Sequence, residues 1–209
     1  MMIAVAVCYG IEMRWVRRLD GVCFVRTAVG ARAPEALDAL SREADVSMVV
    51  STGFCGGLQA SLSTGDLVFA DVIRHDGEEI LVSPELLRVA GEALDRSGHR
   101  AQVGTWESVS AVADGAGKRR LAEGGSLCVE MESGPLARWA RTRSVDLLPL
   151  RVVFDPVGGD LPFAADDSLF GCALRHPVWS LRAARWAVIA GRALGRALND
   201  LLPALKEGS

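Results

Sequence analysis

The stretch Val46 to Ile73, VSMVVSTGFCGGLQASLSTGDLVFADVI, constrains this chain more than any other. It opens with an apolar run, Val46 to Val50, closed by Ser51 and Thr52. A short valine-rich run of this kind suits a strand buried on both faces. Gly53-Phe54-Cys55-Gly56-Gly57 then reads as a turn, and glycine there lets a ligand approach the main chain closely. After Gly65-Asp66 a second apolar run, Leu67 to Ile73, reads as another strand. Open α/β sheets bind ligands at such strand ends, but glycines there are also plain turn chemistry, and spacing alone leaves both readings open. The glycines do not make GxGxxG, and no Gly-Lys-Ser/Thr follows, so neither a dinucleotide fingerprint nor a P-loop is present.

The rest of the chain alternates strand-like and helix-like segments. Ile3–Val7, Val22–Thr27, Gln102–Glu107 and Asp146–Phe154 read as strands. Pro34 sits near the start of a helix, and Ser83-Pro84-Glu85 caps another that runs to about Ser97. Val109 to Lys118 reads as a loop entering a short helix, with Asp114 as its cap. A helix after Leu127-Cys128-Val129-Glu130-Met131-Glu132-Ser133 continues to Arg143. An irregular segment, Gly158 to Arg175, carries Leu161, Phe163, Leu169 and Phe170, and a long helix follows over Pro177–Leu202. In that helix Arg182, Arg185, Arg192 and Arg196 continue a spacing begun at Arg175. They are expected opposite alanines, Trp179, Trp186, Val188 and Ile189. An amphipathic helix covering the sheet is the default, and a membrane-surface face is the other reading.

Half of the 209 residues are hydrophobic, which is enough for one sizeable core, so residues 1–209 are read as a single domain. A net charge of −3 gives no electrostatic footprint for nucleic acid. Cys8, Cys23, Cys55, Cys128 and Cys172 are far apart and form no CxxC or Cys/His cluster, so neither a metal site nor a disulfide framework is expected. The N-terminus lacks signal-peptide features and no apolar run approaches a membrane span, which reads as cytoplasmic.

The central stretch resembles the TGxxGGLxxxLxxGDLVxxD segment of the purine nucleoside phosphorylase and methylthioadenosine nucleosidase superfamily. Thr52, Gly53, Gly56, Gly57, Leu58, Leu62, Gly65, Asp66, Leu67, Val68 and Asp71 stand in the family's order. Val129 to Ser133 matches its VEMES segment, and Arg151 with Asp155 matches its RxxxD segment. The resemblance implies an α/β fold, a three-layer α/β/α sandwich with a central mixed sheet. It also implies cleavage of a purine nucleoside's N-glycosidic bond with release of adenine. Asp155 would be the acid at the purine, with its pKa raised by the apolar Val152-Val153-Phe154 setting. Glu12 and Arg151 would handle the attacking water. Met131 and Glu132 would hold the ribose, a soft thioether under the sugar and a carboxylate taking two hydroxyls. Thr52, Gly53, Phe54 and Val109 would line the base pocket, and Gly10 and Arg32 are candidates for phosphate. Without the family pattern, Glu12 and Glu132 are first-turn helix acids, Arg32 is a surface arginine and Trp106 is core.

Where bacterial phosphorylases present an arginine before the glycine segment and a serine after its first glycine, this chain has Ser51 and Phe54. Both departures remove phosphate contacts, so hydrolysis is favoured over phosphorolysis. No metal or organic cofactor is implied, and phosphate enters only as a co-substrate. The C-terminal sequence looks like the hopanoid-associated branch, whose members remove adenine from adenosylhopane. That implies a lipid-linked nucleoside substrate; the superfamily's members imply a homo-oligomer, at least a dimer, and peripheral membrane contact is an open reading of the arginine-rich helix. A methylthioadenosine/S-adenosylhomocysteine nucleosidase and a non-catalytic nucleoside-binding protein on the same fold are the rivals.

Overall fold

The structure is a computed structural model that describes residues 2–158 and 177–207, with the backbone alone for residues 177–179. Leu161, Phe163, Leu169, Phe170, Cys172, Arg175 and the Trp179 side chain, singled out in the sequence, lie outside the described residues.

One mixed sheet carries the strands β1 (Met2–Val7), β2 (Val22–Arg26), β3 (Val46–Gly57), β4 (Leu67–His75), β5 (Glu78–Leu81), β6 (Ala101–Ser108), β7 (Cys128–Glu130) and β8 (Asp146–Asp155). The strand order is β2-β1-β3-β7-β6-β4-β5, and β8 pairs with both β3 and β4. β8 therefore closes β3, β7, β6 and β4 into a ring, from which β1 and β2 extend on one side and β5 on the other. Five pairings are parallel, and β3–β7, β4–β5 and β4–β8 are antiparallel.

Among the described residues the α-helices are α1 (Pro34–Leu40), α2 (Pro84–Arg96), α3 (Gly115–Glu123), α4 (Ser133–Arg143) and α5 (Pro177–Glu207). α2 begins where the Ser83 side chain accepts from the Leu86 amide at 3.3 Å, with Pro84 in the first turn. Successive residues of a strand face opposite sides, and β1 is apolar on both. Ile3 and Val5 join the core that contains Leu94 of α2 and Leu194, Leu198 and Leu201 of α5. Ala4 and Ala6 join a second core with Leu37 of α1 and Leu136 and Trp139 of α4. Helices thus cover both faces of the mixed sheet, as the α/β reading requires.

Two expectations need correction. Gly53–Gly57 is not a turn but the continuation of β3. The strand persists because β8 runs parallel to it as far as Gly56↔Asp155, while β7 takes its other edge at Gly56 and Gly57. In α5, Val188 and Ile189 lie on the exposed side with the arginines rather than opposite them, whereas Trp186 is buried.

Candidate active site

The ends of β3, β7 and β8 and the segments after β1 and β6 surround a cavity of about 170 Å³. Its walls include Phe54, Val109, Met131, Glu132 and Asp155, all expected in the site, together with Tyr9, Val112, Lys118, Glu130 and Phe154. Phe54 and Phe154 are adjacent across the β3–β8 pair and stack with ring centroids 5.3 Å apart.

Beneath the cavity lies a buried charge cluster organised by Arg151, which is 1% exposed. Its Nη2 donates to Glu130 at 2.6 Å and to Glu132 at 3.2 Å, and its Nη1 donates to the Thr52 carbonyl at 2.9 Å. Burial works against its charge, but the carboxylates of Glu130, Glu132 and Glu12 outweigh that and raise its pKa above the ordinary arginine value. Glu130 also accepts from the amides of Glu132 and Ser133, at 3.0 and 2.8 Å, and so holds the first turn of α4 in place. Ser51 Oγ and Ser133 Oγ are 3.0 Å apart beside it.

Glu12 is 1% exposed. It sits in a 3-10 turn after β1, where its carboxylate accepts from the amides of Tyr9 and Phe54, each at 2.8 Å. Burial raises its pKa, and the Tyr9 amide, the Arg151 charge and the Phe54 amide only partly oppose this. Burial likewise raises Glu132, against the charge of Arg151. Glu132 Oε1 is also 3.4 Å from the Gly30 amide. Gly53 has φ 140°, and a Cβ there would lie 2.6 Å from both Arg151 Nη1 and Glu12 Oε1. The glycine is required by this crowding and by its backbone angle, not by a turn.

Lys118, which the sequence reading did not single out, is the residue that changes the chemistry. It lies on α3, whose Asp114 cap accepts from the Gly117 amide at 2.7 Å. Its ammonium is buried against the Asp155 carboxylate and donates to the Asp155 carbonyl at 3.1 Å. Gly56 makes the reach feasible, since a Cβ there would lie 2.8 Å from Lys118 Cε. The expected setting of Asp155 thus gains a charged neighbour. Val152 and Val153 bury this strand end, and the Lys118 ammonium lies against the carboxylate that they enclose. In the sequence Lys118-Arg119-Arg120 looks like an ordinary solvated helix face, and only the tertiary fold separates the first of them.

Other expected residues stand outside the cavity wall. Arg151 supports carboxylates from below and, like Glu12, is not in the cavity lining. Glu12, Thr52 and Gly53 lie behind the wall, with Thr52 fully buried and Gly53 pressed against the Glu12 carboxylate. Arg32 is a surface residue paired with Glu35 at 2.9 Å, and Gly10 is exposed and apart from the cavity. Trp106 is completely buried core, as an aromatic in a strand is expected to be. Among the described residues, no group of three His, Cys, Asp or Glu side chains could hold a metal ion, and no helix is long and apolar enough to cross a membrane.

Solved structures share this architecture. The chain is similar to the 5′-methylthioadenosine/S-adenosylhomocysteine nucleosidase from S. pneumoniae, with TM-score 0.74 and 17% identity over 98% of this chain and 100% of that one. The corresponding Helicobacter pylori nucleosidase matches with TM-score 0.71 and 15% identity over 99% and 98%. That of Neisseria meningitidis matches with TM-score 0.70 and 17% identity over 96% and 99%. These likenesses establish the fold. The family follows from the sequence itself: the profile of the phosphorylase superfamily matches residues 20–170, a span holding the glycine segment, Met131, Glu132 and Asp155, and this chain belongs to that superfamily.

Proposed function

We propose that this chain cleaves the N-glycosidic bond of an adenosine-type nucleoside and releases adenine, with water as the nucleophile. The observation that carries this reading is the meeting of Met131, Glu132 and Asp155, from separate parts of the sequence, on one cavity wall.

Breaking the bond creates an oxocarbenium-like sugar and an anionic purine, so negative charge is needed at the sugar and a proton at the purine. Glu132 supplies the first and accepts from ribose hydroxyls, while Met131 covers the sugar face. Asp155 delivers the proton to N7 of the purine. Because an ammonium touches it, that proton is held jointly by the Asp155–Lys118 pair. Glu12, behind Phe54, takes the proton of the attacking water, and a raised pKa suits a base working near neutrality. Arg151 is a positioning residue that fixes Glu130 and Glu132. Phosphorolysis is disfavoured by charge: the wall already carries Glu130, Glu132 and Asp155, and its lysine is engaged by Asp155. No metal or organic cofactor takes part.

The substrate in this reading carries an apolar 5′ group, adenosylhopane of the hopanoid-associated branch being the candidate. Tyr9, Val29, Val112, Phe54 and Phe154 give the cavity apolar walls, and the C-terminal resemblance points the same way. The chain is read as a cytoplasmic homo-oligomer. A small 5′-thio nucleoside is the second reading, supported by the fold shared end to end with 5′-methylthioadenosine/S-adenosylhomocysteine nucleosidases.

Adenine release from 5′-substituted adenosines, with and without phosphate, tests the proposal. Wild type is expected to release adenine without phosphate, and Asp155→Asn to lose about 10²–10⁴-fold in kcat. Release that requires phosphate would overturn hydrolysis. Binding without turnover by wild type would leave a nucleoside-binding protein.

A further inference from the structure

We propose that the exposed side of α5, with the segment Arg14–Arg18 docked beside it, is a docking surface for an anionic phospholipid bilayer. The whole chain has a net charge of −3, yet residues 177–199 contain Arg182, Arg185, Arg192 and Arg196 and no Asp or Glu. All four arginines are exposed, and among the described residues none pairs with a carboxylate. Arg182 instead lies 4.3 Å above the Trp186 ring.

Apolar side chains share this side of the helix. Leu181 is 76% exposed, Val188 38% and Ile189 39%. At 100° per residue, Leu181, Arg185, Val188, Arg192 and Arg196 fall on one stripe, with Arg182 and Ile189 on its flank.

Tertiary packing widens the stripe. Trp15 lies against α5 where Gly191 and Gly195 leave room, since Cβ atoms there would come within 2.1 and 2.5 Å of its side chain. The Arg17 amide donates to Asn199 Oδ1 at 2.7 Å, and Asn199 Nδ2 donates to the Trp15 carbonyl at 3.0 Å. This docking sets the exposed Arg14, Arg17 and Arg18 alongside α5. Within the helix the first acid is Asp200, which is paired with His99 at 2.9 Å.

Arginines interleaved with exposed leucine, valine and isoleucine fit a lipid headgroup layer, which offers phosphates and an acyl boundary together. A nucleic acid would match the charge and leave Leu181 and Val188 without a partner. The surface also connects with the cavity. Trp186 meets Phe154 edge-on at 5.9 Å, and Phe154 stacks on Phe54 in the cavity wall. An apolar track therefore runs from the lipid-facing helix to the nucleoside cavity, although the docking inference stands without the cleavage reading.

The test is cosedimentation with phosphatidylcholine vesicles with and without phosphatidylglycerol. Wild type is expected to bind only the anionic vesicles, and high salt to weaken that binding. The triple variant Arg185→Glu/Arg192→Glu/Arg196→Glu is expected to bind more than about tenfold more weakly. Leu181→Ser/Val188→Ser, which keeps every charge, is expected to bind more weakly as well. Both variants should retain wild-type unfolding midpoints and cleavage of a soluble adenosine, which separates lost docking from misfolding. No binding to anionic vesicles would overturn the proposal. Tighter binding to a duplex oligonucleotide, indifferent to Leu181→Ser/Val188→Ser, would overturn it in favour of nucleic acid. Arginine variants that change the oligomeric state would assign the face to a second copy of the chain. If wild type docks but cleaves no nucleoside, the function reading fails and the docking surface stands.

Discussion

Arg151 decides more of this protein than any other single residue. It is the cation shared by Glu12, Glu130 and Glu132, and none of the four is more than 8% exposed. Removing one partner of a buried ion pair leaves uncompensated charge, at a cost of about 3–5 kcal/mol. Arg151→Met is therefore expected to lower stability in urea unfolding by about that amount at neutral pH. Arg151→Lys should rescue little of it, because a point charge cannot reach Thr52, Glu130 and Glu132 at once. Glu12 gives a pH signature. The water-activating form is the carboxylate, and burial raises the pKa, so the acid limb of kcat/KM is expected above the ordinary carboxylate range. Glu12→Gln should flatten that limb as well as slow the reaction; a limb unchanged in Glu12→Gln would remove Glu12 from the role.

At the scale of elements, α3 matters because of what it delivers. Its first turn is capped by Asp114, and Lys118 then points inward past Gly56 to Asp155. Asp114→Ala is expected to cost about 1 kcal/mol and to lower kcat without a matching rise in KM, since the loosened helix positions the proton-holding pair. A change confined to the unfolding midpoint would make α3 a scaffold only. The glycine segment teaches the same lesson from the other side. A stretch that looks like a ligand-binding turn is a strand that lines the cavity with Phe54, Cys55 and Gly56, while its paired strands add Glu130, Phe154 and Asp155.

For the whole molecule, ring closure by β8 is the organising fact. β8 lies between β3 and β4 and joins chain segments far apart in sequence, with register from Met48↔Asp146 to Gly56↔Asp155 on one side and Leu67↔Val152 on the other. A strand paired along both edges exposes little of its backbone to solvent. The amides of β3 and β8 are therefore expected to exchange most slowly in native-state hydrogen exchange, and β5, paired only to β4, among the fastest of the strands. Exchange in β8 as fast as in β5 would mean that the ring opens independently of the fold.

Local chemistry was enough for much of this protein. Apolar runs marked six of the eight strands among the described residues. The charged β5 escaped because its pattern comes from pairing with β4, and the three-residue β7 escaped because it reads as the lead-in to a helix. Ser83-Pro84 and Asp114 marked helix starts, since a cap is made within a few residues. Motif order identified the superfamily and drew Met131, Glu132 and Asp155 together. What the sequence could not disclose depends on partners brought from a distance. Gly53–Gly57 became strand because β8 arrived beside it. Arg151 became a support because three carboxylates converged on it, and Arg32 lies at the surface beside Glu35. Lys118 met Asp155 across 37 positions of sequence, an ion pair that no local spacing encodes and only the closed sheet could make.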